Sequence, residues 1–192
     1  FEDEVEEWRI HNNEWIEMNR NFEALDILDP ATLVAELQRF RGDHYQLELK
    51  VAQLLLSGEE FSGGDDPTAC NFGRWLPTVT TENQELLGIL DDIRVPHNRF
   101  HEAVGRIQEL VEAGDTDAAF AHFRNEMLPA SDEVFEYFDR IIELTKEAEA
   151  LRDNITTTVL GPITDKAHQA MTTLDKLIHI NETIAEEAVA AA

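Results

Sequence analysis

Apolar residues recur every three to four positions along almost the whole of this chain, and strand-like alternation is nearly absent. That rhythm paints one apolar stripe on a helix, so it confines the fold to helices packed on helices. Gly and Pro, which punctuate helices, are few and clustered. The first break is Leu28-Asp29-Pro30, with Asp29 placed to cap a helix and Pro30 at its first position. Residues 31–56 then read as a helix that stops at Ser57-Gly58. Residues 58–67, rich in Gly and Asp, form the main loop, and a short irregular piece runs from Ala69 to Pro77. Thr81 is placed to cap a helix over about 82–113, in which Pro96 demands a kink or a restart and which Gly114-Asp115 ends. From Thr116 the pattern stays helical, interrupted only at Pro129 and Gly161-Pro162.

The C-terminal stretch carries a regular 4-3 seam: Ile163, Ala167, Ala170, Leu174, Leu177, Asn181, Ile184 and Ala188. Upstream, Leu144, Ala148, Leu151, Ile155 and Thr158 keep the same rhythm, which slips by one residue at Gly161-Pro162. The N-terminal seam is wetter, with Val5, Trp8, Asn12, Trp15, Asn19 and Phe22 mixing aromatics with amides. Its polar members specify register or face solvent; the alternative is a small-molecule pocket lined by Trp8, Asn12 and Trp15.

Charge narrows the function classes. Forty acidic residues against 15 basic ones give a net charge of −25, and such a surface repels nucleic acid and anionic membranes. A hydrophobic content of 43% is enough to build a core. No stretch approaches the ~20 apolar residues of a membrane span. The sequence starts Phe-Glu-Asp-Glu, without an initiator Met or a signal peptide, and reads as a fragment of a longer chain. The single cysteine, Cys70, excludes an internal disulfide.

Cys70 belongs instead to a possible metal set. His97 and His101 stand four apart on an expected helix, so both imidazoles leave one face about one turn apart. Cys70 lies 27 residues before His97, and His44 lies 26 residues before Cys70. One thiolate with three imidazoles is a borderline-soft tetrahedral set that suits zinc. A His-x-x-x-His pair alone equally describes two surface histidines. No histidine has Glu three residues before it, which excludes the di-iron carboxylate bundle, and there is no Cys-x-x-Cys-His for haem. A Cys-His nucleophile built from Cys70 with His97 or His101 is the remaining chemical alternative.

His44, then Cys70-x-x-Gly73-x-Trp75, then His97-x-x-x-His101-Glu102 resembles the chemoreceptor zinc-binding domain family. A Gly-rich loop before Cys70, a proline before His97 and a Gly-Asp break after that helix fit the same pattern, and the resemblance covers about residues 40–142. It implies zinc ligands at His44, Cys70, His97 and His101. It also implies structural roles for Gly73, which lets the Cys70 turn close, and for Trp75, which plugs the bundle end. His11, His122, His168 and His179 match nothing in the pattern. The family's members are helical bundles, often dimeric, on bacterial chemoreceptors and diguanylate cyclases.

The expected fold is all-α: a four-helix bundle over 40–143, with helical extensions at 1–39 and 144–192 forming a two-helix stalk. Four protein donors leave no open position on zinc, so the reading is a sensor and not an enzyme. Zinc-bound sulfur can still be oxidised, so the stimulus is metal or oxidant status; the alternative is a small-molecule sensor with purely structural zinc. Paired extensions leaving one end of the bundle suggest the periplasmic sensor region of a methyl-accepting chemotaxis receptor. Its transmembrane helices and signalling domain would lie outside this sequence, and each stalk would bury its seam against a mate in a homodimer. A cytoplasmic receptor segment is the alternative placement.

Overall fold

The breaks foreseen in the sequence delimit the helices of the structure, a computed structural model that describes residues 1–27 and 29–191. Helix α1 spans Glu2–Leu25 and α2 spans Pro30–Ser57. The Asp29 carboxylate accepts the Thr32 amide at 3.1 Å, and Pro30 opens α2, where its missing N–H leaves no hydrogen bond unmade. Gly58 closes the helix in the left-handed region at φ 71°, its N–H donating to the Leu54 carbonyl. Leu28, the first residue of the expected break, lies outside the described residues.

A short α3, Asn71–Trp75, runs into a 3-10 turn at Leu76–Thr78. The helix expected over 82–113 with a kink or a restart at Pro96 does restart, giving α4 at Gln84–Asp92 and α5 at Arg94–Glu112. The restart at Ile93 puts Pro96 in the first turn of α5, where a proline is tolerated. The cap of α4 is Asn83, which accepts the Leu86 amide at 3.0 Å, and not Thr81. The Thr81 hydroxyl donates instead to the carboxylate of Asp26, which also accepts the Glu82 amide.

Helices α6, Thr116–His122, and α7, Leu128–Thr158, are joined by a π turn at Phe123–Met127, just before Pro129. A second π turn, Val159–Ile163, holds Gly161 and Pro162 and leads into α8, Thr164–Ala190. A π turn takes one more residue than an α turn, and this gives the one-residue slip of the apolar rhythm at Gly161-Pro162 its physical cause. Among the described residues there is no strand, and no helix is long and apolar enough to cross a membrane. The chain is an all-α helical bundle protein.

It divides into two units. In the first, Asp26–Ala148, the bundle core is built on Phe40, Phe72, Phe100 and Phe138, all fully buried, with Leu37, Ile93, Ile107 and Ile141. In the second, Phe1–Leu25 with Glu149–Ala192, α1 and α8 run antiparallel. Glu7 pairs with Lys166 at 2.5 Å, and Glu4 accepts the Thr173 hydroxyl at 2.8 Å. Neither helix has a buried residue. The seam residues Ile163, Ala167, Ala170 and Leu174 are half-buried, whereas Leu177, Asn181, Ile184 and Ala188 are exposed.

Candidate metal centre

His44 sits in the middle of α2, one turn after Phe40, and only 2% of it is exposed. Its Nδ1 lies 2.7 Å from the Phe40 carbonyl. A carbonyl only accepts, so Nδ1 carries the proton and Nε2 presents a bare lone pair. That Nε2 is buried and has no hydrogen-bond partner.

His97 and His101 project from α5 with 2% and 1% exposure. The His101 Nδ1 faces the Gly64 carbonyl at 2.6 Å, which fixes the same tautomer and turns its Nε2 inward. Gly64 reaches this place because it adopts φ +92° and has no Cβ; one there would lie 2.7 Å from the Leu47 side chain. The two Nε2 atoms of His97 and His101 are 3.1 Å apart.

Cys70 supplies the fourth donor from the cap of α3. Its Sγ accepts the Gly73 amide at 3.1 Å and lies 3.2 Å from the His97 Nε2. The turn closes only because position 73 is glycine: a Cβ there would stand 1.8 Å from the Pro67 carbonyl oxygen. Phe72 walls the site, its ring edge-on to His97 at 4.9 Å. Trp75 is half-buried against Phe40 and Phe72, with ring centroids 5.3 and 5.9 Å away.

The ligand atoms of His44, Cys70, His97 and His101 all lie within 4.8 Å of one another. A tetrahedral zinc with ordinary bond lengths needs edges of ~3.3 Å between nitrogens and ~3.6 Å between nitrogen and sulfur. The edges from His97 to His101 and to Cys70, 3.1 and 3.2 Å, are close to this, and the orphaned Nε2 of His44 gives the arrangement its direction. Burying an unpartnered imidazole nitrogen is unfavourable by about 1–3 kcal/mol, which a metal at the centre of the four would relieve. The donors therefore fit zinc.

Protonation follows the same logic. Burial pushes His44 down to about 4 and His97 to about 3, and for His97 the neighbouring His101 and His44 add to the effect. Burial lowers His101 as well. All three are neutral near pH 7, as ligands must be. The Cys70 thiol is pushed up by burial in the metal-free protein, so it reaches its ligating form by giving up a proton to solvent as metal enters.

Residues 44–108 match the family model of the chemoreceptor zinc-binding domain. This stretch is a chemoreceptor zinc-binding domain. No curated protein and no solved structure matches the chain. The family assignment and the converging donors make the domain a zinc-binding one, and they correct the placement read from the sequence. Domains of this family are cytoplasmic, which overturns the periplasmic location. Paired helices at the two ends of a domain carry no mark of the compartment in which they stand, so they could not support it.

The remaining sequence candidates lie elsewhere. Trp8, Asn12 and Trp15 are half-buried along α1, in the two-helix unit. His11 pairs with Glu14, His122 is half-buried in α6, and His168 and His179 are exposed on α8. Sequence reasoning missed the two carbonyls that orient the imidazoles. The Phe40 carbonyl is available to any helical residue four positions on, so it leaves no signal; Gly64 leaves one, in the Gly63-Gly64 pair.

Proposed function

We propose that the chain is the sensory part of a chemotaxis receptor in which His44, Cys70, His97 and His101 hold zinc and Cys70 reports metal or oxidant status. The observation that carries this reading is the double use of one sulfur. Cys70 Sγ faces the His97 Nε2, and it also accepts the Gly73 N–H that starts α3. Four protein donors leave no place for a substrate, which favours sensing over hydrolysis.

Bound zinc supplies charge that holds Cys70 as thiolate and ties α2, α3 and α5 together. The half-buried sulfur is the group open to chemistry. A two-electron oxidant such as hypochlorous acid transfers its oxygen to the thiolate, and chloride leaves. The sulfenic acid so formed is a poorer ligand for metal and a poorer acceptor for the Gly73 N–H. The Cys70 turn then has two arrangements, capped and ligated or released, and the second would change the seating of α3 on Phe40 and Phe72.

Zinc content and helix spacing, measured before and after one equivalent of hypochlorous acid, test the redox version. Release of zinc with a shift of α3 is expected, and retention of both zinc and spacing would sink it. A Cys70→Ser receptor should lose its response in swimming cells. If the response survives, zinc is purely structural and the stimulus binds elsewhere.

A further inference from the structure

A cleft of about 460 Å3 opens between the last turn of α2, the last turn of α5 and the loop that follows α2. Its floor is apolar. Leu54 is buried, and Phe61 and Val111 pack half-buried against the core around Val51, Phe100 and Ile107. The free polar atoms around this floor are acceptors. Glu60 and Glu112 are exposed, and neither has a hydrogen bond or an ion pair among the described residues. The Gln108 amide nitrogen donates to the Phe61 and Gly63 carbonyls at 3.4 and 3.2 Å, which leaves the amide oxygen as its free end. No arginine or lysine among the described residues lines the cleft. The carbonyl ends of two helices adjoin it as well, and each adds partial negative charge.

We propose that this cleft binds a primary ammonium group carried on a short apolar arm, and that filling it tightens zinc. An ammonium has three donors and no acceptor, the complement of two carboxylates and an amide oxygen. The arm displaces water from Leu54, Phe61 and Val111. The same charges repel a carboxylate or a phosphate, and an uncharged alcohol has one donor to share among three acceptors. What separates Glu60 and Glu112 from the rest of an acidic surface is the apolar cleft they share, with no cation in it to neutralise them. The loop that walls the cleft also serves the metal. Gln108 holds it at Phe61 and Gly63, and the next carbonyl, that of Gly64, faces the His101 Nδ1 at 2.6 Å. A ligand seated against residues 60–62 holds the loop down and keeps His101 in its ligating tautomer. The coupling rests on His101 being a zinc ligand; the ammonium site does not.

The test titrates the zinc-loaded full chain with hexylammonium, 1-hexanol and hexanoate, followed by calorimetry and by the amide shifts of the loop and of the end of α5. Hexylammonium should bind at least ~10-fold more tightly than 1-hexanol, the scale of hydrogen bonds to a charged group, and hexanoate should not bind. Glu112→Gln should weaken hexylammonium at least ~5-fold. Glu136→Gln, which removes the same charge from an exposed position on α7, should leave it unchanged. By linkage, saturating hexylammonium should raise zinc affinity at least ~5-fold in chelator competition, and Glu112→Gln should abolish the gain. Equal binding of hexylammonium and 1-hexanol, or equal losses in the two variants, would overturn the site. Zinc affinity unchanged by hexylammonium would overturn the coupling.

Discussion

The two units of this chain share an apolar rhythm and differ in what they do with it. In Asp26–Ala148 the rhythm buries four phenylalanines completely and closes over a polar cluster. In Phe1–Leu25 with Glu149–Ala192, two helices share one face and neither buries a residue. Periodicity therefore specifies which side of a helix is apolar, and the number of neighbours decides how much stability that side yields. The zinc site belongs to the unit with neighbours on every side. Only there can imidazoles be stripped of water and held in one tautomer.

The sharpest way to break the comparison is to remove equivalent apolar side chains from both units. Phe72→Ala should destabilise the bundle by about 3–5 kcal/mol, read as a lower denaturation midpoint, because the ring is fully buried and packs on Phe40, His97 and Phe138. Ile184→Ala on α8 should change stability by less than about 0.5 kcal/mol. Equal losses would show that the two-helix unit is packed as tightly as the bundle.

Gly73→Ala should have the next largest effect, and it should fall on metal affinity more than on the fold. The added methyl cannot coexist with the Pro67 carbonyl, so the Cys70 turn must open and its sulfur withdraw. Zinc affinity should fall by about 10- to 100-fold, the scale on which support of a metal ligand acts. Competition with a chromophoric chelator measures it, and unchanged affinity would mean that the turn does not position the sulfur.

Acid should separate the units through the buried imidazoles. Their protonation is shifted down from 6.5, to about 4 for His44 and about 3 for His97, so the unfolded chain binds protons that the native bundle excludes. The metal-free bundle keeps its full stability above about pH 6.5 and loses it progressively as pH falls toward 4. The corollary near pH 7.5 is that zinc loading releases one proton, from Cys70, whose thiol is pushed up. A pH indicator in weak buffer counts it, and two or more protons would show that the imidazoles are charged before metal enters.

The smallest effect concerns motion. Amides of α1 and α8 should exchange with solvent orders of magnitude faster than those around Val51 and Phe100, in the presence or absence of zinc. Protection that rises in α1 when zinc is added would couple the two units.

Much of this was legible beforehand because it rests on short-range chemistry. Asp29-Pro30, Ser57-Gly58 and Gly114-Asp115 end or begin helices through caps that any such residues would make. The four donors were legible for a different reason: their order, with Gly73 and Trp75 as tags, is a pattern and not a propensity. What escaped depends on three dimensions. The cap at Asn83 in place of Thr81 and the carbonyls of Phe40 and Gly64 follow from where the chain returns upon itself. The one-residue slip at Gly161-Pro162 was visible, but a π turn, a kink and a loop all produce it.

The central claim is that three imidazoles and one thiolate of this chain surround a single zinc ion, and X-ray absorption at the zinc edge tests it directly. The account predicts one zinc per chain with one sulfur at about 2.3 Å and three nitrogens at about 2.0–2.1 Å, and loss of the sulfur shell in Cys70→Ser. A shell of oxygens, or a sulfur signal that persists in Cys70→Ser, would contradict it.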